Sequence, residues 1–159
     1  MLMPLLCSVV KISILTIGHK FEPFENQWVE FFQKRLSHYI NNDWVRIKPK
    51  KKLSDAQLIT EIEKKITSTS LVVLLDEAGK SWNTQEFKSW IDQMENQSKT
   101  HICFVIGESH GFSQALLKKF PFHLSLSKIT FPHKIALLVF IEQLYRVYAW
   151  KAGSPYHHQ

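Results

Sequence analysis

Leu71-Val72-Val73-Leu74-Leu75 places five aliphatic side chains in succession. A strand with one wet face alternates apolar and polar residues. An unbroken run of this length suits a strand covered on both faces, as in parallel sheets. Ile102-Cys103-Phe104-Val105-Ile106 repeats the pattern. Between the two runs, Asn83 and Glu86 form a capping signature ahead of a helix carrying Phe87, Trp90, Ile91 and Met94. Two buried strands with a helix between them are the unit of an α/β fold.

Reading outward repeats that unit. Toward the N-terminus, Ser54 and Gln57 make a capping box, and Ile59, Ile62 and Ile66 give a helical stripe over 54–67. Trp44 to Lys48 is a short, half-polar strand suited to an edge. Glu22 to Ile40 carries Trp28, Phe31, Phe32, Leu36, Tyr39 and Ile40 on roughly one helical face. Ile12 to Ile17 is a first strand ending at Gly18. Toward the C-terminus, Ser113 caps a short helix to Lys119, Phe122 to Leu126 is a last strand, and Lys134 to Lys151 is a long final helix.

Five β-α units predict a mostly parallel sheet with helices on both faces. Ligands in such sheets bind beyond the carboxyl ends of the strands. Gly18, Gly79, Gly107 and Gly111 are expected in loops just after strands, where glycine permits close backbone approach, and Gly153 follows the last helix.

With 159 residues the chain suits one domain, expected at residues 11–159. Met1 to Val10 is mostly apolar, too short to span a bilayer and unlike a secretory signal. It is read as an N-terminal extension, with Val10 a candidate alternative start.

The formal net charge is +6, which fits a nucleic-acid partner, an anionic membrane or simple solubility alike. Arg46-Ile47-Lys48-Pro49-Lys50-Lys51-Lys52 is the clearest electrostatic feature. It reads equally as a solvated loop or as a surface for phosphate backbone. Cys7 and Cys103 make no disulfide framework and no CxxC pair, and the histidines make no HExxH, so no structural metal is expected. GxGxxG and GxxxxGK[ST] are both absent, which disfavours dinucleotide and nucleoside triphosphate chemistry.

Three segments could carry chemistry. Ile106-Gly107-Glu108-Ser109-His110-Gly111 follows a buried strand and precedes a helix, as a backbone-lined pocket would. Leu124 to His133 reads LSLSKITFPH and sets His133 at a helix entrance. A histidine there can bind substrate or move protons. The tail Tyr156-His157-His158 offers a stacking ring and imidazoles that can contact a base or phosphate. Each segment alone is also ordinary turn, cap or frayed-end chemistry.

Taken together, KISILTIG (11–18), LLDEAGKSWNTQEF (74–87), IGESHG (106–111), LSLSKITFPH (124–133) and IEQLYRVYAWKAGSPYHHQ (141–159) resemble the ribosomal large-subunit methyltransferase H family, minimal SPOUT methyltransferases. The likeness runs in order from Lys11 to Gln159. The resemblance implies an α/β sheet whose C-terminal part forms a trefoil knot, a homodimer with its site near the subunit interface, and a cytoplasmic enzyme. It implies S-adenosylmethionine as cofactor, held by Leu75, Gly107, Leu126, Ser127, Lys128, Ile129, Thr130 and Phe131. The implied substrate is a pseudouridine of 23S rRNA in the assembled ribosome, methylated at N3, with no metal and no membrane involved. Catalytic roles fall to His133 as base-positioning or proton-accepting group, to Arg146 for phosphate or developing charge, and to Tyr156 and His157 for the nucleotide.

Three positions depart from the family pattern. Glu108 stands where a second glycine is usual, Leu137 where an arginine is frequent, and His158 where a basic residue is usual. The last two lower the positive charge available for RNA. A non-catalytic RNA- or ribosome-binding protein and a related knotted enzyme acting on tRNA are the alternatives. A flavodoxin-like domain ranks low, because Gly18-His19-Lys20-Phe21-Glu22-Pro23 is no flavin-phosphate loop.

Overall fold

A computed structural model describes residues 10–18 and 20–158, with His157 followed in its backbone only. The expected extension lies, apart from Val10, outside the described residues. Val10 is 2% exposed and packs in the core.

The strands are β1 (Lys11–Ile17), β2 (Asn42–Ile47), β3 (Leu71–Ser81), β4 (His101–Ile106) and β5 (Phe122–Ser125). The helices between them are α1 (Pro23–Leu36), α2 (Asp55–Glu63), α3 (Thr84–Asn96) and α4 (Gln114–Lys119). Then follow α5 (His133–Lys151) and a 3-10 turn at Pro155–His158. All pairings are parallel and the sheet order is β2-β1-β4-β3-β5.

The strand pattern sorts residues to two layers. Ile12, Ile14, Phe104 and Val73 face α1, α3 and α5, with Phe32, Ile91 and Phe140. Leu15, Leu74, Cys103 and Val105 face α2 and α4, with Ile62 and Leu116. The half-polar β2 is an edge strand, as expected from its sequence. Both expected capping boxes form. Gln57 N–H donates to Ser54 Oγ at 3.3 Å and Ser54 N–H to Gln57 Oε1 at 3.0 Å. Glu86 N–H donates to Asn83 Oδ1 at 2.9 Å and Asn83 N–H to Glu86 Oε2 at 2.8 Å.

Four expectations are corrected. First, α2 stops at Glu63 instead of Thr67. The Thr67-Ser68-Thr69-Ser70 segment bonds to itself, with Thr67 N–H donating to Ser70 Oγ at 2.9 Å, and such local bonds compete with helix. Second, the apolar face of α1 is Val29, Phe32 and Leu36, whereas Trp28 is 55% and Phe31 46% exposed. Third, β3 runs six residues past Leu75, with an irregularity between Leu75 and Lys80 before it rejoins β5 at Lys80↔Leu124 and Ser81↔Ser125. Gly79 therefore lies inside this strand and not in a loop. A Cβ there would stand 2.7 Å from His123 C and 2.8 Å from Leu124 N, so glycine is what lets the two backbones meet. Fourth, Leu137 is fully buried. Its apolar side chain belongs to the core with Phe140, Ile141 and Leu144, where an arginine would bury its charge.

The sheet order creates crevices on both sides of β4. The chain leaves β1 and β3 toward the α1/α3 face and leaves β4 toward the α2/α4 face. Connections that diverge from adjacent strands open the space where α/β proteins bind ligands.

Candidate active site

The first crevice lies beyond the carboxyl ends of β4 and β5, against the irregular part of β3, and has a volume of about 400 Å³. Its walls gather Leu75, Gly107, Leu126, Ser127, Ile129, Thr130, Phe131 and His133 from three separate stretches of sequence. Lys128 is exposed and is not part of this lining.

The loop from β5 to α5 is pinned by its own side chains. Ser125 Oγ donates to the Ser127 carbonyl at 2.9 Å, and Ile129 N–H to Ser127 Oγ at 3.0 Å. Thr130 Oγ1 donates to Glu77 Oε2 at 2.8 Å, tying this loop to the irregular part of β3. The alternation of small and apolar residues in LSLSKITFPH thus yields a stapled turn with hydroxyls turned into local bonds. His133 opens α5, half-buried, with its ring edge-on to Phe21 at 6.3 Å between centroids.

Of the acidic side of the crevice, sequence reasoning singled out Glu108 but missed Asp76 and Glu77. Asp76, Glu77 and Glu108 all line it. Asp76 Oδ1 accepts from Ala78 N–H at 2.9 Å. The signal was present in Asp76-Glu77 directly after the buried run, but that stretch reads as a plain loop. Glu108 leans toward β1, its Oε1 2.9 Å from where a Cβ on Gly18 would stand. The glycine at position 18 makes room for the carboxylate.

Arg146 and Tyr156 lie elsewhere. Arg146 lies thirteen positions after His133 on α5, roughly 20 Å at 1.5 Å per residue. Arg146 donates from Nε and Nη2 to Glu142 Oε1 at 3.0 and 2.7 Å. The Tyr156 hydroxyl donates to the same oxygen at 3.2 Å, its ring lies under the Arg146 guanidinium at 5.1 Å, and it meets Tyr145 edge-on at 4.6 Å. Burial, then the Glu142 charge, raises the Tyr156 phenol above its ordinary value. The side chain of His157 is outside the described residues. One copy of the chain therefore holds its tail against its own α5, away from its own crevice. Among the described residues no group of acidic, histidine or cysteine side chains could hold a metal ion, and no helix is long and apolar enough to cross a membrane.

A family described as "Predicted SPOUT methyltransferase" matches residues 10–157. A Clostridium botulinum protein (strain Langeland) named ribosomal RNA large subunit methyltransferase H is 34% identical over 158 residues, covering 93% of this chain and 99% of its own. Proteins of the same name from Enterococcus faecalis, 32% identical, and Parabacteroides distasonis, 33% identical, cover 93% and 94% of this chain and 99% and 100% of their own. The chain belongs to the SPOUT methyltransferase family, and is an enzyme of that family.

Proposed function

We propose that the protein transfers a methyl group from S-adenosylmethionine to N3 of a pseudouridine in 23S rRNA of the assembled ribosome. It would act in the cytoplasm as a homodimer on a knotted SPOUT fold, with residues 11–159 as its single domain. The observation that carries this reading is the convergence of Leu75, Gly107, the 126–131 turn and His133 on one crevice. Relatives that share nearly the whole chain are named as methyltransferases of large-subunit ribosomal RNA.

The residues fit the cofactor. A volume of about 400 Å³ falls within the roughly 300–1,000 Å³ of small-molecule sites. Apolar walls suit an adenine ring, backbone at Gly107 suits its polar edge, and the carboxylates of Asp76, Glu77 and Glu108 suit a ligand with two positive centres. When bound, the cofactor supplies an activated methyl on a sulfonium. The chain then has to align the base with that methyl, exclude water and take up the N3 proton. His133, one of the lining residues, would position the base or accept that proton at a ring nitrogen. Lys128, exposed on the same turn, would close over the ligand from outside.

Arg146, Tyr156 and His157 would reach the crevice from a second copy, since their own crevice is a helix length away. Phe24, Trp28 and Phe31, spaced along α1, are 63%, 55% and 46% exposed, and Ile135 near the start of α5 is 46% exposed. The Lys134–Glu25 ion pair at 2.7 Å holds these two helix ends together. An apolar face of this kind marks a contact surface, and a symmetric pair would cover it.

The test uses ribosomes from cells lacking the gene. Wild-type protein should restore N3 methylation, and His133→Ala and Tyr156→Ala should each abolish it. Remixing the two inactive variants should return about a quarter of wild-type activity, because half the dimers then hold one intact site. Full activity of either single variant refutes its role, and no recovery on mixing refutes the shared site.

A further inference from the structure

The second crevice lies beyond β1, β2 and β4 and encloses about 530 Å³. Lys20, Lys48, Lys50, Lys51 and Lys52 line it, and Glu108 is the one carboxylate among its lining residues. All five lysines are exposed. Among the described residues none of them forms an ion pair, whereas Lys11, Lys64, Lys88, Lys119, Lys134 and Lys151 each hold a carboxylate. Arg46, from the same basic run, is turned away: it donates to Asn26 Oδ1 at 3.0 Å and lies over Trp44. Five unneutralised like charges in one groove repel one another unless an anion sits among them.

The groove also adjoins the first crevice. Glu108 and His110 belong to the lining of both, so the loop after β4 is their common wall. We propose that the lysine groove is a phosphate-backbone track for a single-stranded stretch of the RNA substrate, which leads across the Glu108–His110 wall to the methylation crevice of the same copy. This rests on the RNA methyltransferase reading above. A strand fits a concave groove better than a flat bilayer does, and the large exposed apolar side chains that could enter lipid, Phe24, Trp28, Phe31, Phe122, Ile129 and Ile135, are none of them among the groove's lining residues. Phosphate contacts of this type fix position and carry no sequence preference. Glu108 repels phosphate, so the backbone would stay in the groove while the base crosses the wall.

The experiment measures binding of full-length protein to a mixed-sequence single-stranded RNA oligonucleotide by fluorescence anisotropy over a salt series. Lys50→Ala/Lys51→Ala/Lys52→Ala is compared with the charge-matched Lys65→Ala/Lys99→Ala/Lys118→Ala. Each lost phosphate contact lowers the slope of log affinity against log salt by about 0.7, so the groove variant should lose about 2 in slope and up to about 100-fold in affinity near 0.1 M salt. Its calorimetric affinity for S-adenosylmethionine should stay unchanged, which also shows that it folds. Equal losses in both triple variants, or an unchanged salt slope in the groove variant, overturn the track. So does lysine-dependent binding to phosphatidylglycerol vesicles without lysine-dependent binding to RNA. If wild-type protein methylates ribosomes while the groove variant keeps its KM, the track fails and the enzymatic reading stands. If the groove variant loses RNA affinity but wild-type protein methylates no ribosome, the track stands and the enzymatic reading fails.

Discussion

Replacing Gly79 by alanine should damage the fold and the crevice together. The added methyl would stand 2.7 Å from His123 C, 2.8 Å from Leu124 N and 2.9 Å from the His123 carbonyl oxygen. Carbon atoms in contact sit about 3.5 Å apart or more, so the approach is short by roughly 0.8 Å. All three atoms are backbone, so no rotamer can move aside. Strand β5 must shift from β3, or the irregular part of β3 must swing outward. Overpacking of this kind costs about 1–3 kcal/mol, and the rigid obstacle puts the cost near the top of that range. Lost unfolded-state freedom returns about 0.4–1 kcal/mol, leaving a net loss of about 2 kcal/mol. For a domain of this size that lowers Tm by about 4–8 °C. Because Leu75, Leu124 and Leu126 line the crevice, S-adenosylmethionine affinity should fall as well. Denaturant unfolding and calorimetry on Gly79→Ala read both effects. Gly153→Ala serves as control, since nothing lies within 4 Å of its Cβ and its φ of +78° carries only the left-handed strain. Stability within about 0.5 kcal/mol of wild type, the range of neutral surface changes, would refute the close-approach argument.

Two further outcomes follow from buried titratable groups. Burial pushes the Cys103 thiol up from 9.0 to about 12, leaving about a thousand-fold less thiolate than an ordinary cysteine at the same pH. In a Cys7→Ser background, a thiol reagent at about pH 8 should leave the folded protein unlabelled and react fully in denaturant; rapid labelling of the native protein would contradict this. His101 bonds to Ser13 Oγ through Nε2 and to Ser70 Oγ through Nδ1, both at 2.8 Å. Burial lowers its proton affinity, Lys11 lowers it further and Asp43 opposes them. The unfolded chain then binds the proton more readily, so stability is full above the ordinary value of 6.5 and is lost as pH falls below it. Denaturant midpoints measured between about pH 7.5 and 5.5 should fall more steeply for wild type than for His101→Gln, and parallel curves would rule the histidine out.

The sheet was legible because the chemistry is local: unbroken aliphatic runs, helical stripes and capping boxes each need only a short window. The face of α1 was misread because Trp28 and Phe31 are as apolar as Phe32, and only tertiary packing decides which of them the sheet covers. The extension of β3 was hidden because Asp76 and Glu77 are poor strand formers, and Gly79 earns its place only through β5, more than forty residues on. For the site, the residues of the crevice came from likeness to a family, since Leu75, Gly107 and the 126–131 turn share no spacing a window could detect. Arg146 and Tyr156 sit together on the monomer's far end, a separation that follows from helix length and not from any motif.

The strand order also sets a timetable. The innermost strand, His101–Ile106, is fourth to be synthesised, yet it is the one that joins β1 to β3. Lys11 waits for His101 and Leu71 for Ile102. Until that segment leaves the ribosome, the nascent chain holds the β1–β2 pair with a naked inner edge and a β3 with no partner at all, because β5 is made later still. Such distant pairings fold slowly, and exposed edges invite aggregation. Chains that stall before residue 101 should thus be the ones most dependent on chaperones.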